Sequence, residues 1–280
     1  MKKGLKFLFS SLLLLSAVMP TFQATTVSAQ EELPAQVQAL RDAGVIRVGI
    51  KEDVPYFGFL NPDTNEHEGF EIDLARLLAE EITGSPDNVE FTGVTAKTRG
   101  PLLDNGEVDM IIATFTITEE RKETYNFSDA YFTDQVGFLV RSEDGYTDLA
   151  SLNGKTIGVA QSATTKQKIE EIGAEDGLAF KFSELASYPE LKTALTSRRI
   201  DAFSVDKSIL AGYVDDNTEI LEIGFAPQEY GVATALSNDE LAAYINDLIN
   251  QWLEDGTLEG LLAEHGLVDA AAEETEEDAE

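Results

Sequence analysis

The sequence predicts an α/β protein, and three observations carry that expectation. Short apolar, β-branched runs alternate along the chain with longer segments of helical period, the order expected when helices cover the faces of a sheet. Two of the helical segments carry continuous apolar stripes. Turn-forming residues punctuate the intervals between elements.

Taken in order, residues 47–50 are the first strand, ending at Lys51. Asn61-Pro62-Asp63-Thr64-Asn65 is turn chemistry between two short strands. It resembles a calcium loop, but the glycine such a loop requires is replaced by Glu66. Residues 70–82 repeat Ile72, Leu74, Leu77, Leu78 and Ile82 at helical spacing. Strands are expected at 89–94 and 108–113, and residues 113–117 read as a strand running into a helix N-capped by Thr118. Further strands fall at 156–160, 179–182 and 200–205. A last amphipathic helix at 241–253 presents Ala242, Ile245, Leu248, Ile249 and Trp252 on one face.

The two ends differ from this body. Lys2, Lys3 and Lys6 precede an apolar run from Phe7 to Met19, and Val27-Ser28-Ala29 suits cleavage, so 1–29 reads as a secretory signal peptide. That run is too short to cross a bilayer, which takes roughly 20 residues. Residues 268–280 are an acidic tail expected to be disordered. The chain has no cysteine, which excludes disulfides and the thiol that a lipid anchor needs. The expected product is secreted, periplasmic or extracellular, and not lipid-anchored. Its formal charge is -32, so nucleic acid and anionic membrane are poor partners.

The most informative stretch is Ala113-Thr114-Phe115-Thr116-Ile117-Thr118-Glu119-Glu120-Arg121. Arg121 falls in a first helical turn, where the macrodipole disfavours a cation. A bound anion would account for it, with backbone N–H groups, threonine hydroxyls and a guanidinium fork converging on one carboxylate. Pairing with Glu119, Glu120 or Glu123 at the surface is the alternative.

This stretch, followed by Tyr125-Asn126-Phe127-Ser128-Asp129-Ala130-Tyr131-Phe132, resembles the family 3 solute-binding proteins, the amino-acid receptors of ABC importers. The likeness runs from about Ile46 to Leu267. Around Lys97-Thr98-Arg99-Gly100-Pro101-Leu102-Leu103-Asp104-Asn105-Gly106 it narrows to the branch binding aspartate and glutamate. The resemblance implies a two-lobed periplasmic-binding-protein-like fold of type II, with ligand in the cleft between lobes joined by a two-strand hinge. Lobe 1 would comprise 30–133 and 230–267, and lobe 2 the insertion 134–229, with crossings near Tyr131 to Gln135 and Pro227 to Tyr230.

The resemblance also implies a site. Arg121, with Thr114 and Thr116, would take the ligand's α-carboxylate, the two hydroxyls facing the cleft from alternate positions of a strand. Thr114 stands where many relatives have glycine. Ser162, Thr164 and Thr165 open a helix and resemble the lobe 2 loop that grips the same carboxylate; ordinary capping by Ser162 or Thr164 is the local alternative. Asp206 reads locally as an N-cap and, by resemblance, takes the ammonium. Lys51 and Arg99 would meet a side-chain carboxylate, and solvated surface cations are the alternative. Tyr188, Tyr56 and Phe57 are candidate cleft walls. The implied partners are a small amino acid and an ABC permease in the membrane, with the protein acting as a monomer without cofactor or metal. Glutamine is the runner-up ligand.

Catalytic motifs are absent. Gly154-Lys155-Thr156 resembles the end of a P-loop, but the earlier glycine is Leu149. The only histidines are His67 and His265, which disfavours zinc or a histidine triad. A dehydratase on the same fold is the enzymatic alternative. It would keep Arg121 and need an acid or base in the cleft.

Overall fold

The computed structural model describes Met1 and residues 33–267. The expected signal peptide and acidic tail lie outside the described residues.

Two sheets organise residues 33–267. The first has the order Val89–Gly93, Ile46–Ile50, Met110–Ile112, Ala233–Ala235, Tyr125–Phe127. Its first three strands are parallel, while Ala233–Ala235 returns antiparallel from far along the chain. Helix Phe70–Thr83 buries Ile72, Leu74, Leu78 and Ile82 of the stripe read from the sequence against this sheet, and leaves Leu77 partly buried. Helix Asp239–Glu254 adds Leu241, Ile245, Leu248, Ile249 and Trp252 to the same core.

The second sheet runs Lys181–Leu185, Thr156–Ala160, Ala202–Asp206, Phe132–Arg141, Thr218–Ile220. Strand Phe225–Tyr230 also pairs with the beginning of Phe132–Arg141, antiparallel, with Phe132 opposite Tyr230. These two strands are the crossings between the sheets. The chain is therefore two-lobed, each lobe built around one sheet.

Most expected strands are present with small shifts; 179–182 is displaced to Lys181–Leu185. The turn at 61–65 joins Gly58–Leu60 to His67–Glu68, with the Asn61 side chain accepting from Asp63 N at 2.9 Å.

One expectation fails. Residues 113–117 are not a strand: the strand ends at Ile112, and only Thr116 makes an isolated bridge, to Tyr230. Thr114 has φ +45°, the left-handed region that a β-branched residue rarely enters. The physical reason is where the backbone groups go. Thr114 N–H donates to Glu71, and the Ala113 and Thr114 carbonyls accept from Arg99. Side chains, not a neighbouring strand, satisfy this corner.

Candidate ligand chamber between the lobes

The corner at 113–116 forms one wall. Phe115 carries a guanidinium against its ring twice, Arg99 at 4.0 Å and Arg121 at 4.7 Å from the centroid. Arg99 comes from the short helix Arg99–Asp104 and is 4% exposed, so it is not a surface cation. Its Nη1 donates to Ala113 O at 2.6 Å and Thr114 O at 3.0 Å. Arg121 Nη1 donates to Thr116 O at 2.6 Å and Nη2 to Ser162 O at 3.4 Å. Among the described residues both guanidiniums donate to backbone carbonyls, and neither is ion-paired with a carboxylate. Thr118 caps the helix Glu119–Lys122 by accepting from Arg121 N, as its sequence position implies.

Lys51 is also buried, at 2% exposure, at the end of strand Ile46–Ile50. Its ammonium lies 2.8 Å from Asp53 Oδ1 and 4.6 Å from the centre of the Tyr188 ring. Its charge therefore already has an anion.

The opposite wall belongs to the second sheet. Asp206 ends strand Ala202–Asp206 and is buried. It occupies an N-cap position but makes no capping bond; its carboxylate accepts from the Tyr230 hydroxyl instead. Thr164 likewise stands at the N-cap of helix Thr165–Asp176 without capping it, and its hydroxyl donates to Gln228 Oε1 at 2.7 Å. Local capping thus does not account for Asp206 or Thr164. Ser162 adopts φ +63°, which turns its carbonyl to Arg121, and Thr165 is buried.

The lobes touch around this space, so the arrangement is closed. Arg121 reaches Ser162, and Lys97 reaches Gln161 Oε1 at 3.3 Å. Asp53 Oδ2 accepts from Tyr188 N at 3.2 Å, at the N-terminus of helix Tyr188–Thr196, where a negative charge is favoured. Tyr213 donates to the Asp53 carbonyl. Tyr188 is buried beside Lys51. Phe57 instead belongs to the core, packed on Phe70, Phe132 and Tyr230, and Tyr56 is exposed, so neither lines the chamber.

Behind the corner stands Glu71, which the sequence reading did not single out. Glu71 is fully buried near the start of helix Phe70–Thr83. Gly69 makes this placement possible: its φ of +123° and its contact with the Phe57 carbonyl leave no room for a Cβ. Glu71 Oε1 accepts from Thr114 N and from the Tyr131 hydroxyl, each at 2.6 Å. Its signal was present, because Glu71 shares a helix face with Leu74, Leu78 and Ile82, and an acid on an apolar face needs a partner.

Burial dominates the titration of this cluster. It pushes Glu71 up to about 7 and raises Asp206, which Asp134 raises further. It lowers Lys51, which Asp53 partly restores, and it lowers Arg99. Arg121 is lowered to about 9, by burial first and then by the charge of Arg99. Among the described residues Arg99 Nε, Thr114 Oγ1 and Glu71 Oε2 are buried without a hydrogen-bond partner.

The fold is two-lobed, and Lys51, Arg99, Arg121 and Asp206 come together where the lobes meet. Residues 46–267 match the family described as Bacterial extracellular solute-binding proteins, family 3, and the chain belongs to it. It is 35% identical over 232 residues to the ABC transporter glutamine-binding protein GlnH of Bacillus subtilis, covering 82% of this chain and 84% of that one. It is 29% identical to the glutamate-binding protein GluB of Corynebacterium glutamicum, covering 79% and 78%. Among solved structures it resembles the ancestral amino acid-binding protein AncCDT-1, a precursor of cyclohexadienyl dehydratase, with TM-score 0.72 and 28% identity over 82% of this chain and 99% of that one.

Proposed function

We propose that this chain is a secreted or periplasmic receptor that binds an acidic amino acid, aspartate or glutamate, and delivers it to the permease of an ABC importer. The carrying observation is the pair of guanidiniums on Phe115, Arg99 buried and Arg121 half-buried, with no ion-paired carboxylate among the described residues. One α-carboxylate would engage Arg121, Thr116 and the loop from Ser162 to Thr165. A second, on the side chain, would engage Arg99, with Lys51 nearby. Asp206 would hold the ammonium. Desolvated cations reward a matching anion strongly and reject a cationic ligand. In this reading 1–29 is a cleaved leader, and the lobes are 30–133 with 230–267, and 134–229. Closure around one ligand commits it for transfer.

Glutamine is a second reading, favoured by one observation: the Lys51 ion pair with Asp53 spends a charge that an acidic side chain would otherwise use. The likeness to GlnH agrees with it. A dehydratase would need an acid or base in the chamber, and Glu71 or Asp206 could serve; turnover of prephenate or arogenate would reveal it.

Calorimetry of the chain from residue 30 against the twenty amino acids tests the proposal. The expected result is micromolar or tighter binding of aspartate or glutamate, at least about 8 kcal/mol. A response to glutamine without either acid would replace it with the second reading. Silence toward every amino acid would overturn both.

A further inference from the structure

Glu71 is a charged group buried beside the chamber to which the binding role above gives no task. Its setting is specific. The peptide joining Ala113 to Thr114 lies between two charges. Its carbonyl oxygen accepts from Arg99 Nη1 at 2.6 Å, and its N–H donates to Glu71 Oε1 at 2.6 Å. The peptide is trans, so these two groups point in opposite directions. One peptide dipole is therefore aligned between a buried cation and a buried anion. This alignment requires the left-handed φ of Thr114 noted above, and the backbone strain has a return in the charge pairing. The second Glu71 oxygen has no partner among the described residues, so its charge is compensated through space and through this peptide.

A purely structural reading explains the contacts poorly. Two donors aimed at one oxygen could be satisfied by a neutral amide, without the cost of a desolvated carboxylate. A formal charge is useful here because two cations, Arg99 and Lys51, sit within its electrostatic reach.

We propose that Glu71 is a specificity-determining positioning residue: acting through the Ala113–Thr114 peptide, it supplies a counter-charge to Arg99 and so limits how strongly the chamber prefers a side-chain carboxylate over a side-chain amide. This rests on the reading of the chamber as an amino-acid site. It makes acid-versus-amide selectivity a graded property of the wall, set by how much of the Arg99 charge Glu71 has already taken. The same cation can then serve relatives with acidic or amide ligands.

The test is calorimetry at pH 8 with glutamate and glutamine on the wild type, Glu71→Gln and Tyr131→Phe. Removing the buried anion leaves Arg99 and Lys51 less compensated. The acid-to-amide affinity ratio of Glu71→Gln should therefore rise by about tenfold or more, the effect of one charge in a poorly screened site. Tyr131→Phe removes a hydrogen bond to the same oxygen but no charge, and its ratio should stay within about twofold of the wild type. Should Glu71→Gln not fold, Glu71→Met carries the same test with an uncharged side chain of similar length. An unchanged or lowered ratio in a Glu71 variant that still binds overturns the inference alone. So does a Tyr131→Phe shift as large as that of Glu71→Gln. A wild type that binds neither ligand overturns the functional reading, and the inference with it.

Discussion

The two walls of the chamber divide the work differently. The wall from the first sheet holds Glu71, Arg99 and Arg121, brought together by one bent corner at 113–116, and Lys51 at the end of its own strand. The wall from the second sheet holds hydroxyls, a helix N-terminus and one carboxylate, Asp206. The first wall keeps Arg99 and Arg121 on backbone carbonyls, which hold position without cancelling charge, and pairs Lys51 with Asp53. On the proposed reading its charge state selects the ligand. On the same reading the second wall offers groups that any α-amino acid can use, and its Ser162, Gln161, Tyr188 and Tyr213 meet the first lobe. Selectivity and closure are separable on this account, and variants in each wall should separate them.

The largest effect should come from Arg121, which belongs to the first wall but reaches across to Ser162. Arg121→Met should weaken aspartate, glutamate, asparagine and glutamine together, by roughly 3–5 kcal/mol, because all present an α-carboxylate and would leave it buried and unpaired. Titration of the four ligands checks this. Selective loss of the acids alone would move Arg121 to the side-chain subsite.

Next is the stability of the ligand-free protein. Folding raises Glu71 from the ordinary 4.5 to about 7. The folded state then holds a proton more tightly than the unfolded chain does. The resulting stability is complete below about pH 4.5 and is lost as pH rises through 7. Asp206, also raised, acts in the same direction. The melting temperature should fall between pH 5 and pH 8, with Glu71 contributing on the order of 3 kcal/mol of the change. Thermal melts of Glu71→Gln should show a shallower slope over that range. A slope identical to wild type would mean that Glu71 does not titrate there.

The smallest effect concerns the latch. Asp53→Asn should weaken the bonds that Asp53 makes to Tyr188 and release Lys51 from its anion. Glutamine should lose about 1 kcal/mol from the weaker latch. Glutamate should lose less, because the freed Lys51 partly repays it. Equal losses would show that Lys51 does not face the ligand side chain.

The amphipathic helices, the parallel strands and the Thr118 cap were legible in the sequence because their determinants are local: period, β-branching and one side-chain oxygen. Arg121 was singled out as a cation in an expected first helical turn; the helix is only the single turn Glu119–Lys122, in which Arg121 also stands in the last turn. The corner at 113–114 was not. Its strand-like composition favours extended backbone, and only Glu71 and Arg99, 43 and 15 residues away from Thr114, pull it into the left-handed region. Lys51 and Arg99 could be named by resemblance, but their burial and the Asp53 partner depend on how the chain packs. Glu71 passed as an ordinary acid in a first helical turn, although its place on the apolar face was readable.

The central claim is that Arg99 reads a side-chain carboxylate. The most direct measurement is the ratio of glutamate to glutamine affinity in wild type and in Arg99→Met, by calorimetry on the folded proteins. Glutamate should lose roughly 2–5 kcal/mol, the cost of leaving a buried anion without its partner, and glutamine much less, so the ratio should collapse toward the amide. A ratio unchanged by Arg99→Met would contradict the account and leave Arg99 as a support for the Ala113–Thr114 corner alone.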